Sequence, residues 1–453
     1  MNKRLLLLLS GDVILSAAAL YIGSVIRFGS FVHIADITDL SGIKLYAFIL
    51  VLLFSSHLCE LYDIEKNAGK KEILVRIGIN IVLSFLLLSA IYYLIPGLLI
   101  GRGWLTISLA CFGLLQFFCH IGYLWCSNIP GLAKRVLVIG TGPLANKIGG
   151  LILSTNHNHL LSGYFHCSGE TVHVPVHHIL NNGKGLIETI REEKATKIVI
   201  SLSERRGVFP MKDLLACKLS GIEVVDAPSF YEEINGKLFI ENITPSCMIF
   251  SDGFRITHVK RLFKRIFDLI FAVIGLGIVM PLIPVIAIFI KIDSRGLVFF
   301  KQIRLGEGEK EFVLYKFRTM HKDAESKTGA VWAQENDPRI TKVGKFLRKS
   351  RIDEIPQLFN VLKGEMSFIG PRPERPEMIR KLEEVIPFYS ERHTLKPGIT
   401  GWAQVKHSYG ASVEDALEKL RYDLFYIKHS SLFLDLLIIL ETIKVVLFGR
   451  GGR

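Results

Sequence analysis

Four stretches of about 20 residues carry almost no charge: Leu5 to Ile26, Ile43 to Tyr62, Ile73 to Ile95 and Trp104 to Trp125. At roughly 1.5 Å of rise per residue, each is long enough to cross a hydrocarbon layer of ~30 Å as a helix. They predict a four-helix transmembrane bundle over residues 1–130. No small-residue cleavage site follows the first run and further apolar runs do, so the first run reads as a retained helix rather than a signal peptide. The basic flanks are Lys3 and Arg4, then Lys66, Lys70, Lys71 and Arg76, then Lys134 and Arg135. By the positive-inside rule, the N-terminus and everything after Trp125 face the cytoplasm. Asp12, Arg27 and Glu60 lie inside or at the ends of spans, either as an intramembrane site or as snorkelling and helix-pairing groups.

After Pro130 the pattern changes to that of a soluble α/β fold. Arg135 to Ile139 is a strand-like run leading into Gly140-Thr-Gly142-Pro-Leu-Ala145, with a helix expected from Leu144 to Leu153 and later strands at Lys197 to Leu202 and Ile222 to Asp226. Strand, glycine turn and helix in this order mark a Rossmann-like domain over 131–250, in which Gly140 and Gly142 let a phosphate approach a helix N-terminus. The acid expected to hold a ribose is missing, since Gly163-Tyr-Phe-His-Cys-Ser offers no carboxylate before Glu170. The Tyr-x-x-x-Lys pair of nucleotide-sugar dehydratases occurs only at Tyr62 to Lys66, upstream of this fold. The domain therefore reads as degenerate. His157, His159, His166, His173, His177 and His178 crowd it without metal-ligand spacing, and the seven cysteines form no CxxC pair.

A fifth apolar run, Ile266 to Ile290, is preceded by Lys264 and Arg265, followed by Lys291 and Arg295, and interrupted by Pro281 and Pro284. Flanks of one charge type and a broken second half predict a re-entrant hairpin over 266–290 rather than a fifth span. The net charge of +13 concentrates here, because residues 255–353 hold 20 Lys/Arg against 10 Asp/Glu. A basic surface beside a membrane suits an anionic lipid or phosphate substrate. Leu432 to Phe448 mixes apolar residues with Asp435, Glu441 and Lys444 and reads as an amphipathic surface helix.

Ser350-Arg-Ile-Asp353-Glu354 sets two adjacent carboxylates just after the basic Lys345, Arg348, Lys349 and Arg351. One reading is a helix start with Ser350 as N-cap and acids in the first turn. The other is a low-pKa Asp nucleophile among arginines, attacking phosphorus to give an acyl phosphate. Downstream, Gly370-Pro371-Arg372-Pro373 stiffens the backbone around one arginine, as gripping a diphosphate or a base would require.

The C-terminal half resembles the bacterial polyprenyl-phosphate glycosyl-1-phosphate transferases, the monotopic phosphoglycosyl transferases. The resemblance rests on seven ordered motifs: Lys264-Arg-Ile-Phe-Asp268; Val298-Phe-Phe-Lys-Gln302 with Arg304 and Gly306; Tyr315-Lys-Phe-Arg-Thr-Met320; Asp337-Pro-Arg-Ile-Thr341 with Gly344; Asp353-Glu354 with Pro356-Gln357; Gly370 to Pro373; and Lys396-Pro-Gly-Ile-Thr-Gly-Trp402. The resemblance implies an α/β transferase domain over 255–453 carrying the re-entrant membrane helix, in a membrane-associated α/β protein. It also implies a ping-pong reaction at the cytoplasmic face of the bacterial inner membrane, the first membrane step of exopolysaccharide, capsule or O-antigen assembly. Asp353 would attack a UDP-sugar, with UDP-glucose or UDP-galactose expected by family habit, and release UMP; undecaprenyl phosphate would then take the sugar phosphate. Glu354 is the second acid of the family's dyad. Mg²⁺ would be held through Asp353, Arg372 with Pro371 and Pro373 would contact the nucleotide or phosphates, Arg348 would orient the nucleophile, and Lys316, Arg318 and Arg304 would supply positive charge. A homo-oligomer is expected and a nucleic-acid partner is not. Met280-Pro281 departs from the family's usual Ser-Pro at the helix break. The rival readings are a membrane-tethered NAD-dependent nucleotide-sugar oxidoreductase using Gly140 and Gly142, and a non-catalytic scaffold for polysaccharide assembly.

Overall fold

The computed structural model describes residues 3–29, 41–62, 70–127, 134–154, 159–167, 169–180, 183–202, 210–242, 253–254, 257–321, 324, 337–407, 410 and 412–447. Lys66, His157, Cys247 and the tail from Gly449 lie outside them, as do the side chains of Lys3, Arg4, Lys70, Lys71, Trp125 and Cys126. The chain divides into two compact units, Met1–Val224 and Val225–Arg453.

The first unit opens with α1 (Lys3–Phe28), α2 (Ser41–Leu58), α3 (Lys70–Leu94) and α4 (Arg102–Ser127). Within α1, α3 and α4, the stretches Leu7–Phe28, Ile73–Leu94 and Arg102–Tyr123 are long and apolar enough to cross a membrane, and membrane association follows. The second expected run is shorter as a helix, because α2 stops at Leu58 and turns at Glu60, whose φ is 57°. Arg76 of α3 caps that turn, donating to the carbonyls of Cys59 and Glu60 and pairing with the Glu60 carboxylate at 3.2 Å. Asp12 is a helix-pairing group: its Oδ2 accepts from Tyr62 at 2.8 Å and from Gln116 at 2.7 Å. Asn80 extends the network to Ser55, Ser56 and Gln116, so polar contacts join all four helices.

Next come β1 (Lys134–Ile139), α5 (Pro143–Ser154), β2 (His159–Phe165), α6 (Leu186–Glu193), β3 (Lys197–Ile200), α7 (Met211–Leu219) and β4 (Glu223–Asp226). The strand order is β2-β1-β3-β4, with β1 parallel to both neighbours. Val136 to Ile139 are fully buried, as expected of a continuous apolar strand covered on both faces.

The second unit begins with α8 (Ala227–Asn235), followed by α9 (His258–Val279), a 3₁₀ turn at Met280–Leu282, and α10 (Ile283–Asp293). Together α9, the turn and α10 form an apolar helical stretch, His258–Asp293, also long enough to cross a membrane. Both of its ends are tied to the same unit. Arg265 donates to the carbonyls of Val361 and Leu362, and Asp268 accepts from the Ser367 hydroxyl and the Phe368 amide. At the far end, Arg318 grips the carbonyls of Ile290, Ser294 and Arg295. Between these anchors Ile274, Ile278, Met280, Leu282 and Ile288 are exposed.

The remaining elements are the antiparallel pair β5 (Phe299–Leu305) and β6 (Glu311–Phe317), α11 (Lys342–Lys349), α12 (Gln357–Lys363), β7 (Ser367–Ile369), α13 (Pro376–Glu383), β8 (Gly398–Thr400) parallel to β7, α14 (Trp402–Lys406), α15 (Val413–Lys428) and α16 (Leu432–Leu447). The core gathers Leu420, Leu424 and Ile427 of α15 with Leu434 and Ile438 of α16, Ile379 and Ile369. Inside it, Asp435 accepts from Tyr426 at 2.6 Å and pairs with Lys264 at 2.9 Å, so this acid of the C-terminal helix is buried rather than facing water.

Candidate active site

Ser350 ends a helix instead of starting one. It sits at the C-terminus of α11, where its hydroxyl donates to the carbonyls of Phe346 and Leu347. The chain then reverses through Arg351, held at a left-handed φ of 58°, into a 3₁₀ turn at Ile352–Glu354. The N-cap reading of Ser350 is therefore corrected. Non-glycine residues adopt this backbone region at a cost, and here it turns both carboxyl groups inward, Asp353 7% and Glu354 6% exposed.

The two acids have opposite surroundings. Glu354 Oε1 receives Lys316 at 2.9 Å and Arg372 at 2.8 Å, and Oε2 faces Arg351 at 3.5 Å. Burial alone would raise the Glu354 carboxyl, but Arg372, Lys316 and Arg351 outweigh it and hold it well below the usual carboxylate range. Asp353 makes no hydrogen bond or ion pair among the described residues. Burial pushes its carboxyl up, Lys316 opposes that, and the Glu354 charge adds to it. The low-pKa acid among arginines is thus Glu354, whereas Asp353 is the more basic and the unengaged one. Burial also pushes the Lys316 ammonium down, partly offset by Glu354, and Glu354 drives Arg372 further into its charged form.

The Gly370–Pro373 loop is held from behind. Gly370 donates to the Thr400 carbonyl and Gly398 to that of Pro371, and the backbones approach so closely that a Cβ on Gly370 would lie 2.3 Å from the Lys396 carbonyl. Arg304 donates to the Pro373 carbonyl at 3.1 Å and Arg392 to that of Arg372 at 3.1 Å; Arg392 is itself buried against Asp423 at 2.8 Å. Arg304 is spent on this loop and on Gln302, and Arg318 on the end of α10, so neither guanidinium is at the acidic pair. Lys316 and Arg372 are there, and Arg348 bonds Thr319 while its charge is felt by Asp353.

Arg351, Arg392 and Asp423 were missed in the sequence. Arg351 lies in the quoted basic run, and its position beside the dyad was an available signal. Nothing local marks Arg392 and Asp423, which stand 31 residues apart. At the other candidate, Gly140 has a φ of 114°, and the Thr141 amide behind it already donates to Glu170 at 2.7 Å. The first acid after β2 thus turns back onto the glycine turn. No cluster of three or more His, Cys, Asp or Glu suited to a metal occurs among the described residues.

A cleft of about 290 Å³ opens beside the dyad. Phe271, Ile274, Leu358, Val405, Val445 and Val446 line it, and Arg351 and Glu354 are its charged lining residues.

Residues 259–449 match the family model described as bacterial sugar transferase. An exopolysaccharide production protein of Rhizobium leguminosarum bv. phaseoli is 39% identical over 194 residues, 42% of this chain and 97% of that protein. The chain belongs to the bacterial sugar transferase family. Longer relatives extend the match. The UDP-N-acetylgalactosamine-undecaprenyl-phosphate N-acetylgalactosaminephosphotransferase of Aeromonas hydrophila is 42% identical over 240 residues, 53% of this chain and 56% of that protein. The undecaprenyl-phosphate glucose phosphotransferase of Komagataeibacter xylinus is 34% identical over 333 residues, 71% of this chain and 60% of that protein. The chain therefore spans somewhat over half the length of these two relatives. All the site residues described in the second unit from Lys264 to Asp435 fall within the family match, whereas α8 and Gly140 fall outside it.

Proposed function

We propose that this transferase moves a sugar 1-phosphate from a UDP-sugar to undecaprenyl phosphate by a two-step exchange through Asp353. The observation that carries the proposal is the asymmetry of the dyad: both carboxylate oxygens of Glu354 are paired with a cation, while the neighbouring Asp353 carboxylate is buried, comparatively basic and without a hydrogen bond or ion pair among the described residues. In the first step an Asp353 oxygen forms a bond to the β-phosphorus as the bond to UMP breaks, and UMP departs with the electron pair. In the second, a phosphate oxygen of the lipid attacks the same phosphorus and the Asp353 carboxylate leaves. One anhydride replaces another, so the exchange is close to thermoneutral. Glu354, held ionised, acts by fixing Lys316 and Arg372 over the reacting phosphates rather than by carrying a proton.

A single unengaged carboxylate fits Mg²⁺, which favours one or two carboxylates plus substrate phosphates over an all-protein cage. Asp353 would hold the ion, and when bound it neutralises diphosphate charge. The apolar cleft beside the dyad suits the first isoprene units of the lipid. The exposed apolar faces of α9 and α10, separated by the 3₁₀ turn that holds Pro281 and anchored at both ends on one unit, support a re-entrant hairpin at the cytoplasmic leaflet. The parallel strand order supports a Rossmann-like ancestry for the sheet, and the Glu170 carboxylate at the glycine turn argues against a bound dinucleotide.

The test is UMP release from purified protein with Mg²⁺ and a panel led by UDP-glucose, UDP-N-acetylgalactosamine and UDP-galactose, with and without undecaprenyl phosphate. Wild type should turn over only with the lipid, and Asp353→Asn should fall by at least about a thousandfold. Turnover that survives in Asp353→Asn would refute the covalent route.

A further inference from the structure

The segment from α8 to Asn242 lies outside the family match yet is built into the transferase core. Leu238 and Ile240 are 1% and 6% exposed among the core residues of α15, and the Leu238 amide donates to the Arg421 carbonyl at 3.0 Å. Ion pairs fasten both sides: Glu232 with Lys428 at 2.7 Å, Lys237 with Glu418, and Glu241 with Arg421.

At the centre of the segment is Gly236, which ends α8 at a φ of 63°. Its carbonyl accepts the indole N–H of Trp402 at 2.7 Å, and a Cβ at this position would lie 3.3 Å from the same ring. Trp402 is 6% exposed and is the first residue of α14, a helix of only five residues. Two and three residues further along the same helical turn, Gln404 and Val405 line the cleft beside the dyad. So short a helix has little rigidity of its own, and its rotation is fixed by what grips its side chains.

We infer that the Ala227–Asn242 segment is a strap that sets the wall of the lipid cleft, with Trp402 as the positioning residue that passes its grip to Gln404 and Val405. This rests on the proposed function, because it assigns the cleft to the isoprenoid phosphate. Trp402 is not among the residues lining the cleft; its indole bonds the Gly236 carbonyl and its ring stacks on Phe425. Loosening it should therefore weaken use of the lipid and spare the donor half of the exchange.

The full-length protein in nanodiscs carries the test, in wild-type, Trp402→Phe and Gly236→Val forms. The donor half is read as exchange of labelled UMP into the UDP-sugar without lipid, and the lipid half as KM and kcat for undecaprenyl phosphate. Losing the indole hydrogen bond should raise the lipid KM about three- to tenfold, with UMP exchange within about twofold of wild type. A lipid KM within about twofold of wild type in a folded variant overturns the inference, as does an equal fall in both halves, which marks general loosening. If Gly236→Val fails to fold, Trp402→Phe alone decides. Absence of UMP exchange in the wild type with every UDP-sugar would instead refute the proposed function, and this inference with it.

Discussion

His393 should make the transferase unit acid-labile in a window set by its burial. The ring is 7% exposed, its Nε2 has no hydrogen-bond partner among the described residues, and it adjoins the buried Arg392 guanidinium. Burial and then Arg392 push the imidazolium down from 6.5 to about 4, with Glu374 only partly opposing. For a group that resists protonation when folded, the unfolded chain binds the extra proton. The neutral ring therefore costs nothing above pH 6.5, and stability is lost as pH falls from there to about 4. The loss is about 1.4 kcal/mol at pH 5.5 and about 2.5 kcal/mol at pH 4.5. For a unit of this size, about 1.4 kcal/mol lowers the melting midpoint by roughly 3–6 °C. Thermal unfolding followed by tryptophan fluorescence at pH 7.5, 5.5 and 4.5 reads it, comparing wild type with His393→Gln. The variant should lack most of the drop between pH 7.5 and 5.5. Parallel pH profiles for the two proteins, or an imidazole titrating above pH 6 by NMR, would refute the reasoning.

Glu354→Gln should lower stability at pH 7 by about 2–3 kcal/mol, since it removes the carboxylate paired with Lys316 and the part-exposed Arg372. Because the folded Glu354 carboxyl is depressed, that contribution is present above the ordinary carboxylate pKa and lost below it, so the two proteins' urea midpoints should converge in acid. Arg318→Gln should cost about 1–3 kcal/mol in unfolding experiments while leaving the donor KM unchanged, whereas Lys316→Gln should impair UMP exchange; a donor KM that rises in Arg318→Gln would return that residue to the substrate site. A chain beginning at Arg255 should melt lower than one beginning at Val225, by about 4 kcal/mol for uncovering the sites of Leu238 and Ile240. Equal melting points would show that the strap adds nothing to the core.

The long helices and the strand–turn–helix unit were legible because their signals are local: charge-free runs, a continuous apolar strand and a glycine turn. The dyad was legible as a motif, but the division of labour within it was not. Which carboxyl is held low depends on Lys316, 38 residues upstream, and on Arg372, 18 downstream, and adjacency in sequence says nothing of either. Arg318 misled for the same reason. It stands two residues from Lys316 in the Tyr-Lys-Phe-Arg motif, yet it lies past the end of β6 and its guanidinium runs to the carbonyls that end α10. The strap was invisible, because its ion pairs join residues 196 and 181 positions apart and its own composition is that of any polar helix and turn.

These long-range contacts explain why so many arginines and lysines gather here without competing for the substrate. Several cations away from the dyad are neutralised by a named acid or spent on backbone carbonyls: Arg392 on Asp423 and the Arg372 carbonyl, Arg304 on Glu374 and the Pro373 carbonyl, Lys264 on Asp435, Arg265 on the end of α12. The cations that converge on Glu354 are Lys316, Arg351 and Arg372, and the last keeps 37% of its side chain exposed. In the proposed reaction an incoming diphosphate would meet a small group of cations held in place by one carboxylate, beside a second carboxylate that makes no hydrogen bond or ion pair among the described residues. In the proposed exchange, preorganisation of this kind would let Asp353 act as both nucleophile and leaving group: the same cations would stabilise the phosphoryl charge in both directions, and which way the reaction runs would be left to the substrates.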